Sequence, residues 1–459
     1  MEKVFNEVNS LDKRCYTKFN LSEDILMENA ALNIANFIKN RFNKSKKILI
    51  VSGFGNNGAD GIVLARLLNL DYKIKLYIPY SLKSNISKIQ YKRIEYCGIQ
   101  IVNKIVKCDI LVDCLFGSGL NRDLNIDSQN IISLMNNSKS YKIACDISSG
   151  INTKGNIATV AFKANTTITM GALKKSLFTD QAKNYVGKIV VANLGISRKL
   201  YEIKSKYFLL NKKDLKLPLR DNKDTHKGTF GHLAVVIGEK KGAGYISCES
   251  ALKFGVGLVS AITKEQNRSN SIMNTQSLPL NTTAIAIGMG LGNLKYKDEI
   301  FNKNISLLCD ADMFYDKKIL NLLNRDNIVL TPHPKEFCNL LKISRIKDIS
   351  IDELQNNRFK YLEEFCKKYP NVVLVLKGAN VLIGKDDKVY INKFGTNALS
   401  FGGSGDILSG IISSLLAQGY SSIDASISGS LAHTLAAKKY KYNKYSLCPK
   451  NLIKQLKKL

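Results

Sequence analysis

The stretch KILIVSGFGNNGADGIVLARLL, residues 47–68, decides the fold. After Lys47, residues 48–51 form an unbroken apolar run, the pattern of a parallel strand buried on both faces. Gly53, Gly55 and Gly58 follow, and apolar residues then recur at helical spacing over an expected helix at 61–70. Glycines at a strand-to-helix turn let backbone N–H groups approach an anion at a helix N-terminus, although ordinary tight turns use them too. The spacing GxGxxG fits only as Gly53 to Gly58. The next expected strand, 74–78, runs into Pro79 and Tyr80, where a dinucleotide fold would carry an acidic ribose ligand. The more unusual feature is the pair Asn56-Asn57 followed by Asp60.

The same alternation extends in both directions. Upstream, Met27, Ala30, Ala31, Ile34, Phe37 and Ile38 mark a helix opening at Ser22. Downstream, strands are expected at 109–115, 141–145, 166–170 and 188–192. Over 196–222 the rhythm breaks into a charged stretch without a period, and a second series follows at 232–237, 257–263, 283–287, 305–309, 327–330 and 372–376. It closes on a glycine-rich loop and an apolar helix at 406–417. The pattern predicts an α/β chain of two domains, each a three-layer αβα structure: a Rossmann-like domain over 1–210 and a second over 211–459.

Length and composition agree. At roughly 150 residues per domain, 459 residues allow two or three domains. With 45% hydrophobic residues and 7 Pro, the chain is neither disordered nor collagen-like. No apolar run reaches the roughly 18–20 residues of a membrane span, and the start, MEKVFNEVNSLDKRC, has no signal-peptide core, so a soluble, cytoplasmic protein is expected. The net charge of +30 points either to an anionic partner or to scattered, solvated lysines, densest at Lys438, Lys439, Lys441, Lys444, Lys450, Lys454, Lys457 and Lys458. No RNA-binding aromatic motif accompanies them, so neither nucleic acid nor membrane is expected as a partner. The 10 cysteines stand singly, without a CxxC pair, which argues against zinc and for reduced thiols.

Two further strand ends in the first half carry acids. Asp113 precedes the glycine-rich Leu115–Leu120 segment, and Asp146 precedes Ile147-Ser148-Ser149-Gly150. In parallel sheets the strand C-termini face the ligand crevice, so Asn57, Asp113, Asp146 and Ser149 can converge. Their oxygens suit a hard cation such as K⁺, Na⁺ or Mg²⁺; each alone equally suits a turn cap.

The motifs LMENAA (26–31), GNNGADG (55–61), DCLFGSGL (113–120) and DISSG (146–150) resemble the NAD(P)H-hydrate epimerase, or YjeF N-terminal, domain. The resemblance implies that Asn57, Asp113 and Ser149 hold K⁺. It implies that Asn56, Asn57, Gly58, Ala59, Asp60, Gly117, Ser118, Gly119, Leu120, Asn121, Arg122, Asp123 and Asp146 bind the hydrated dinucleotide, with Asp146 as acid/base. Ala59 stands where that family usually has Gly, and Ser148 where it usually has Pro.

Four loops stand out in the second half: HKGTFGH (226–232), GMGLG (288–292), TPHPKE (331–336) and GGSGD (402–406). Consecutive glycines at a helix start expose N–H groups as an anion hole, and Asp406 just inside can take a proton from a substrate hydroxyl, as phosphoryl transfer to an alcohol requires. A plain glycine turn with an Asp cap has the same appearance. His333 between two prolines is either a ligand contact or a packed loop residue, and Lys377 in LKGAN either touches phosphate or lies at a surface turn. Asp310 and Asp312, in CDADMF, lie at a strand end and can orient a metal or a ligand hydroxyl.

Together these segments resemble the ADP-dependent NAD(P)H-hydrate dehydratase domain, whose fold is ribokinase-like. That resemblance puts hydrated substrate at Ala243, Gly290, His333 and Asp406, and the adenine nucleotide at Lys377, Gly378, Ala379, Asn380, Val381 and Gly405. Both halves in this order resemble the bifunctional NAD(P)H-hydrate repair enzymes. The implied substrates are NADHX and NADPHX with ADP, Mg²⁺ serves the second site, Asp146 and Asp406 are the catalytic acids, and a homo-oligomer is expected. A vitamin or sugar kinase with a non-catalytic N-terminal binding module is the alternative.

Overall fold

The computed structural model describes all residues except 266–270, 294, 295, 297, 298 and 303. The chain divides into two compact units, residues 3–205 and residues 206–459 together with 1–2.

In the first unit a 7-stranded sheet has the order 100–102, 73–77, 47–52, 110–114, 141–145, 166–170, 188–192, with every neighbouring pair parallel. Alternation along the strands builds two cores. Ile48 and Ile50 face the helices Glu23–Arg41 and Asn56–Leu68, while Leu49 and Val51 face the side that holds Ile131, Ile132 and Met135 of helix Ile126–Asn137. A sheet covered on both faces explains the unbroken apolar run at 48–51. The order reverses at Lys47–Ser52, which pairs with both Lys73–Tyr77 and Ile110–Cys114. Ligand crevices form at such reversals.

One sequence expectation needs correction. The helix after Ser52 starts at Asn56 rather than 61, so Asn57 and Asp60 lie in its first turns instead of a loop. Close packing forces this. A Cβ on Gly53 would meet the Leu115 carbonyl oxygen at 1.8 Å, and one on Gly58 would meet the Gly53 carbonyl oxygen at 1.9 Å. The expected helix at Ser22 is observed as Glu23–Arg41, capped by the Ser22 hydroxyl accepting from the Ile25 N–H.

The second unit holds a mixed sheet in the order 273–275, 258–262, 232–236, 284–287, 306–309, 328–330, 373–376, 381–385, 388–392, 207–209. The strands are parallel except around Val381–Lys385, which is antiparallel to both neighbours. The sequence reading missed this hairpin, because its strands pair across short turns and no helix separates them. Tyr207–Leu209, inside the charged stretch, is a strand of this sheet, parallel to Lys388–Asn392. Helix Ser404–Ala417 begins two residues before the expected start, behind Gly403 in the left-handed conformation (φ +91°).

Candidate active sites

At the strand reversal of the first unit lies a cavity of about 1100 Å³. Its lining includes Asn56, Asn57, Asp60, Gly117, Ser118, Gly119, Leu120, Asn121, Arg122, Asp123 and Asp146. Three strand ends thus deliver most of the expected residues to one place. Gly58, Ala59, Asp113 and Ser149 are not on that lining. Ala59 is fully buried in the helix packing, so its methyl group is accommodated there.

Asp113 and Ser149 form a closed hydrogen-bonded unit. The Ser149 hydroxyl donates to Asp113 Oδ1 at 2.6 Å, its N–H donates to Oδ2 at 2.8 Å, and the Leu115 N–H donates to Oδ1 at 3.1 Å. Burial pushes Asp113 up to about 6 despite these bonds. Both side-chain polar atoms of Asn57 are buried with no partner, and Gly117 packs so close that a Cβ there would lie 3.1 Å from Asn57 Cβ. Buried polar atoms are normally satisfied. An orphaned amide oxygen and a buried carboxylate are the donor chemistry of a hard monovalent cation, so these residue types fit one.

Asp146 ends its strand with a left-handed backbone (φ +66°), a conformation that non-glycine residues hold only where surroundings impose it. Its Oδ1 accepts from the Lys174 ammonium, from the Met170 N–H at 3.1 Å and from the Thr169 hydroxyl at 3.4 Å. Burial alone would raise this carboxyl; Lys174 and the hydrogen bonds outweigh it and hold Asp146 below the usual range. Asp60 is driven the other way. Burial, with Asp146, Asp12 and Glu23 around it, pushes Asp60 well above the usual carboxylate range. Two carboxyls on one cavity are therefore held apart, Asp146 favouring its ionised form and Asp60 its neutral one.

Phe54, Tyr80 and Phe116 also line the cavity, with ring centroids 6.0 to 6.4 Å apart. Tyr80, standing where an acidic ribose ligand was absent, belongs to this aromatic wall. The wall offers a planar ligand an apolar face.

In the second unit, the TPHPKE and GGSGD loops and the Asp310 strand end meet around one lysine, whereas HKGTFGH packs at the far end of helix Ser404–Ala417, where a Cβ on Gly231 would lie 1.9 Å from the Ala417 carbonyl oxygen. Lys377 Nζ donates to Asp310 Oδ1 at 2.7 Å and lies 3.8 Å from Glu336 Oε2, and its backbone N–H binds the Pro332 carbonyl at 2.9 Å. Burial works against this ammonium, but Asp310 and Glu336 outweigh it and hold it above its ordinary value. The Ser409 hydroxyl donates to the other oxygen of Asp310 at 2.7 Å, and a side chain at Gly405 would begin 3.5 Å from Lys377 Nζ. Burial and the neighbouring Asp310 push Asp406 up to about 6. Asp312, the other acid of that strand end, instead accepts from the Gly292 N–H at 2.9 Å.

His333 is a helix cap: its Nδ1 accepts from the Lys335 and Glu336 N–H groups at 3.1 and 3.3 Å, and its own N–H donates to Glu336 at 2.7 Å. Its other ring nitrogen, Nε2, lies 3.1 Å from Glu336 Oε1, so both ring nitrogens are engaged although the side chain is half-exposed. Ala243 and Gly290 also come together. Gly290 has φ +61°, and a Cβ there would lie 3.2 Å from Ala243 Cβ. The Gly378–Val381 turn is pinned by buried Arg358, which donates to the carbonyls of Leu376, Lys377 and Asn380. Among the described residues, no group of three or more His, Cys, Asp or Glu side chains could hold a metal ion. Lys377 already fills the space between Asp310 and Glu336, so these carboxylates do not fit a protein-held Mg²⁺.

Comparison with known proteins decides the family. A family model described as YjeF-related protein N-terminus matches residues 23–176, and one described as NAD(P)H-hydrate dehydratase matches residues 233–458. The bifunctional NAD(P)H-hydrate repair enzyme Nnr of Helicobacter pylori is 43% identical, over 100% of both chains. The chain belongs to the bifunctional NAD(P)H-hydrate repair enzyme family. The Coxiella burnetii enzyme of the same name is 33% identical over 86% of each chain. Among solved structures, the ADP/ATP-dependent NAD(P)H-hydrate dehydratase of Bacillus subtilis is 25% identical, covering 53% of this chain and 92% of its own, with a TM-score of 0.44. Both sites of this bifunctional repair family member also contain buried groups that the sequence reading passed over. Lys174, Arg358 and Ser409 had no distinguishing local signal; Lys174 is one of 68 basic residues.

Proposed function

We propose that this chain repairs hydrated NAD(P)H: the domain over 1–210 interconverts the R and S forms of NADHX and NADPHX, and the domain over 211–459 dehydrates the S form with ADP, giving AMP and phosphate. The observation that carries the reading is 43% identity over the full length to a bifunctional repair enzyme, combined with an acid in each glycine-rich loop, Asp146 directly after a strand and Asp406 in the first turn of a helix.

In the first site, Asn56, Asn57, Asp60 and the segment 117–123 hold the dinucleotide, with the nicotinamide ring against Phe54, Tyr80 and Phe116, while Gly58 and Ala59 support the helix turn behind them. Asp60, kept protonated, gives its proton to the C6 hydroxyl as the C6–O bond breaks and the ring-nitrogen lone pair forms the iminium, so that water departs. Asp146, kept ionised, takes a proton from the water that adds back to the other face, and solvent returns that proton to Asp60. Asn57, Asp113 and Ser149 would hold K⁺, which supplies a fixed positive charge for orienting phosphate oxygens.

In the second site, Ala243, Gly290 and His333 place the S form, and Lys377, Gly378, Ala379, Asn380, Val381 and Gly405 place the nucleotide. Asp406 accepts the C6 hydroxyl proton while that oxygen attacks the β-phosphorus of ADP and AMP departs. The amides of the 402–405 loop and the Lys377 ammonium stabilise the transferring phosphoryl group. The ring nitrogen lone pair then expels phosphate, and loss of a C5 proton restores NAD(P)H. Mg²⁺ would enter on the nucleotide's own phosphates.

The described residues contain no helix long and apolar enough to cross a membrane. All 10 thiols are unpaired, which supports a reducing, cytoplasmic setting. A homo-oligomer is part of the reading, and light scattering reads it directly.

The test supplies both NADHX epimers with ADP, Mg²⁺ and K⁺ and follows the reduced-nicotinamide absorbance and AMP release. Complete conversion of both epimers, with AMP in proportion, is the expected result. Conversion of one epimer alone overturns the epimerase assignment, and no conversion overturns both.

A further inference from the structure

We infer that Lys174 is a positioning residue of the first site, fixing the orientation of Asp146 and saturating one of its carboxylate oxygens so that the other works on substrate. This deepens the epimerase reading and rests on it.

Lys174 lies on the short strand Leu173–Lys174, and its side chain is 2% exposed. An ammonium has three donors, and all three find acceptors here: Asp146 Oδ1, the Thr169 hydroxyl at 2.9 Å and the Met170 carbonyl at 3.2 Å. The bonds from Thr169, Met170 and Lys174 to Asp146 all fall on Oδ1. Oδ2 is left with the cavity, where Ser118 adds a side-chain hydrogen bond to the carboxylate. The left-handed turn at Asp146 sends its side chain out of the strand's line, and the strand end at 169–170 together with Lys174 receives it. A buried cation is retained at a cost unless it is paired, and its partner here is the proposed catalytic carboxylate. The other groups facing Asp146 are like-charged or neutral. They are Asp60 from helix Asn56–Leu68, Asp12 from helix Asn9–Lys18 with its Tyr201 partner, Cys145 beside it in sequence, and Ser118. Lys174 is the cation that offsets them.

The experiment measures R-to-S conversion without ADP by NMR in full-length Lys174→Met, Lys174→Arg and Asp146→Asn chains. Dehydration of the S form is measured in parallel as a check on the chain. Lys174→Met is expected to lower epimerase kcat at least ~100-fold with KM within about threefold of wild type. Its activity should also require higher pH, because Asp146 without its cation holds its proton more tightly. Lys174→Arg keeps the charge but not the geometry. It should recover part of kcat and the wild-type acid limb, and it decides the question if the Met variant does not fold. Wild-type kcat and pH profile in either lysine variant, with Asp146→Asn inactive, overturns the positioning role and leaves the epimerase reading standing. A loss of activity that only tracks the loss of folded protein overturns it equally. Full epimerase activity in Asp146→Asn overturns the reading on which the inference rests.

Discussion

Lys377 Nζ lies 2.7 Å from Asp310 Oδ1, although their strands are separated by the intervening strand Ile328–Leu330. Asp310 is held from its other side by Ser409, on the helix that begins at the GGSGD loop. One buried ion pair therefore ties the proposed nucleotide turn to the proposed anion hole. Replacing Lys377 by Met leaves Asp310 as an uncompensated buried charge, an expected destabilisation of about 3–5 kcal/mol. Denaturant unfolding should report that loss, and ADP-dependent NADH formation should vanish while epimerisation continues. A Lys377→Met protein as stable as wild type would show that the pair contributes little.

The acid limb of the dehydratase should follow Asp406. The base must be ionised to accept a proton, and its carboxyl is pushed up to about 6 by burial and Asp310. Activity on the S form should therefore climb as pH rises through about 6 and level off above it. Asp406→Asn should remove the activity at every pH. A flat profile from pH 5 to pH 8 would assign the proton transfer elsewhere.

Potassium should stabilise the chain in a pH-dependent way. Between the ordinary aspartate value and about 6, folded Asp113 keeps a proton that the unfolded chain has released, so stability falls as pH rises through that window. The loss amounts to at most about 3 kcal/mol for a shift of about two units. A cation held at Asn57, Asp113 and Ser149 offsets it. Melting in potassium chloride against choline chloride should differ at pH 7.5 and much less at pH 5. Asp113→Asn should remove the difference.

Asp60→Asn should separate charge from proton supply. Burial and the surrounding acids favour the neutral form of Asp60, and an amide of the same shape should keep stability within about 1 kcal/mol. Epimerase kcat should still fall, because the amide has no proton to give. Denaturant midpoints and R-to-S rates measured on the same preparation decide this. Unchanged kcat would remove Asp60 as the acid.

Local chemistry made much of this molecule legible in the sequence. The apolar residues at 48–51 and 143–145 read as buried strands, and the glycines at 53, 58 and 403 occupy positions where a side chain would collide or the backbone turns left-handed. Acids placed directly after strands marked Asp113, Asp146 and Asp310 as crevice residues, since parallel strands share one ligand-facing end. What remained hidden depended on packing at a distance. Lys174 sits 28 residues from Asp146, and Lys377 sits 67 from Asp310. Nothing local distinguishes Lys174 from the solvated lysines, and Lys377, although LKGAN marked it as a ligand candidate, carried no sign of its pairing with Asp310. The aromatic wall joins three separate strand ends, so no spacing rule could assemble it. The divergent roles of Asp60 and Asp146 were decided last of all. Both are acids at a cavity wall, and only the folded structure places a cation against one and surrounds the other with negative charge, in an interior where water cannot screen the difference.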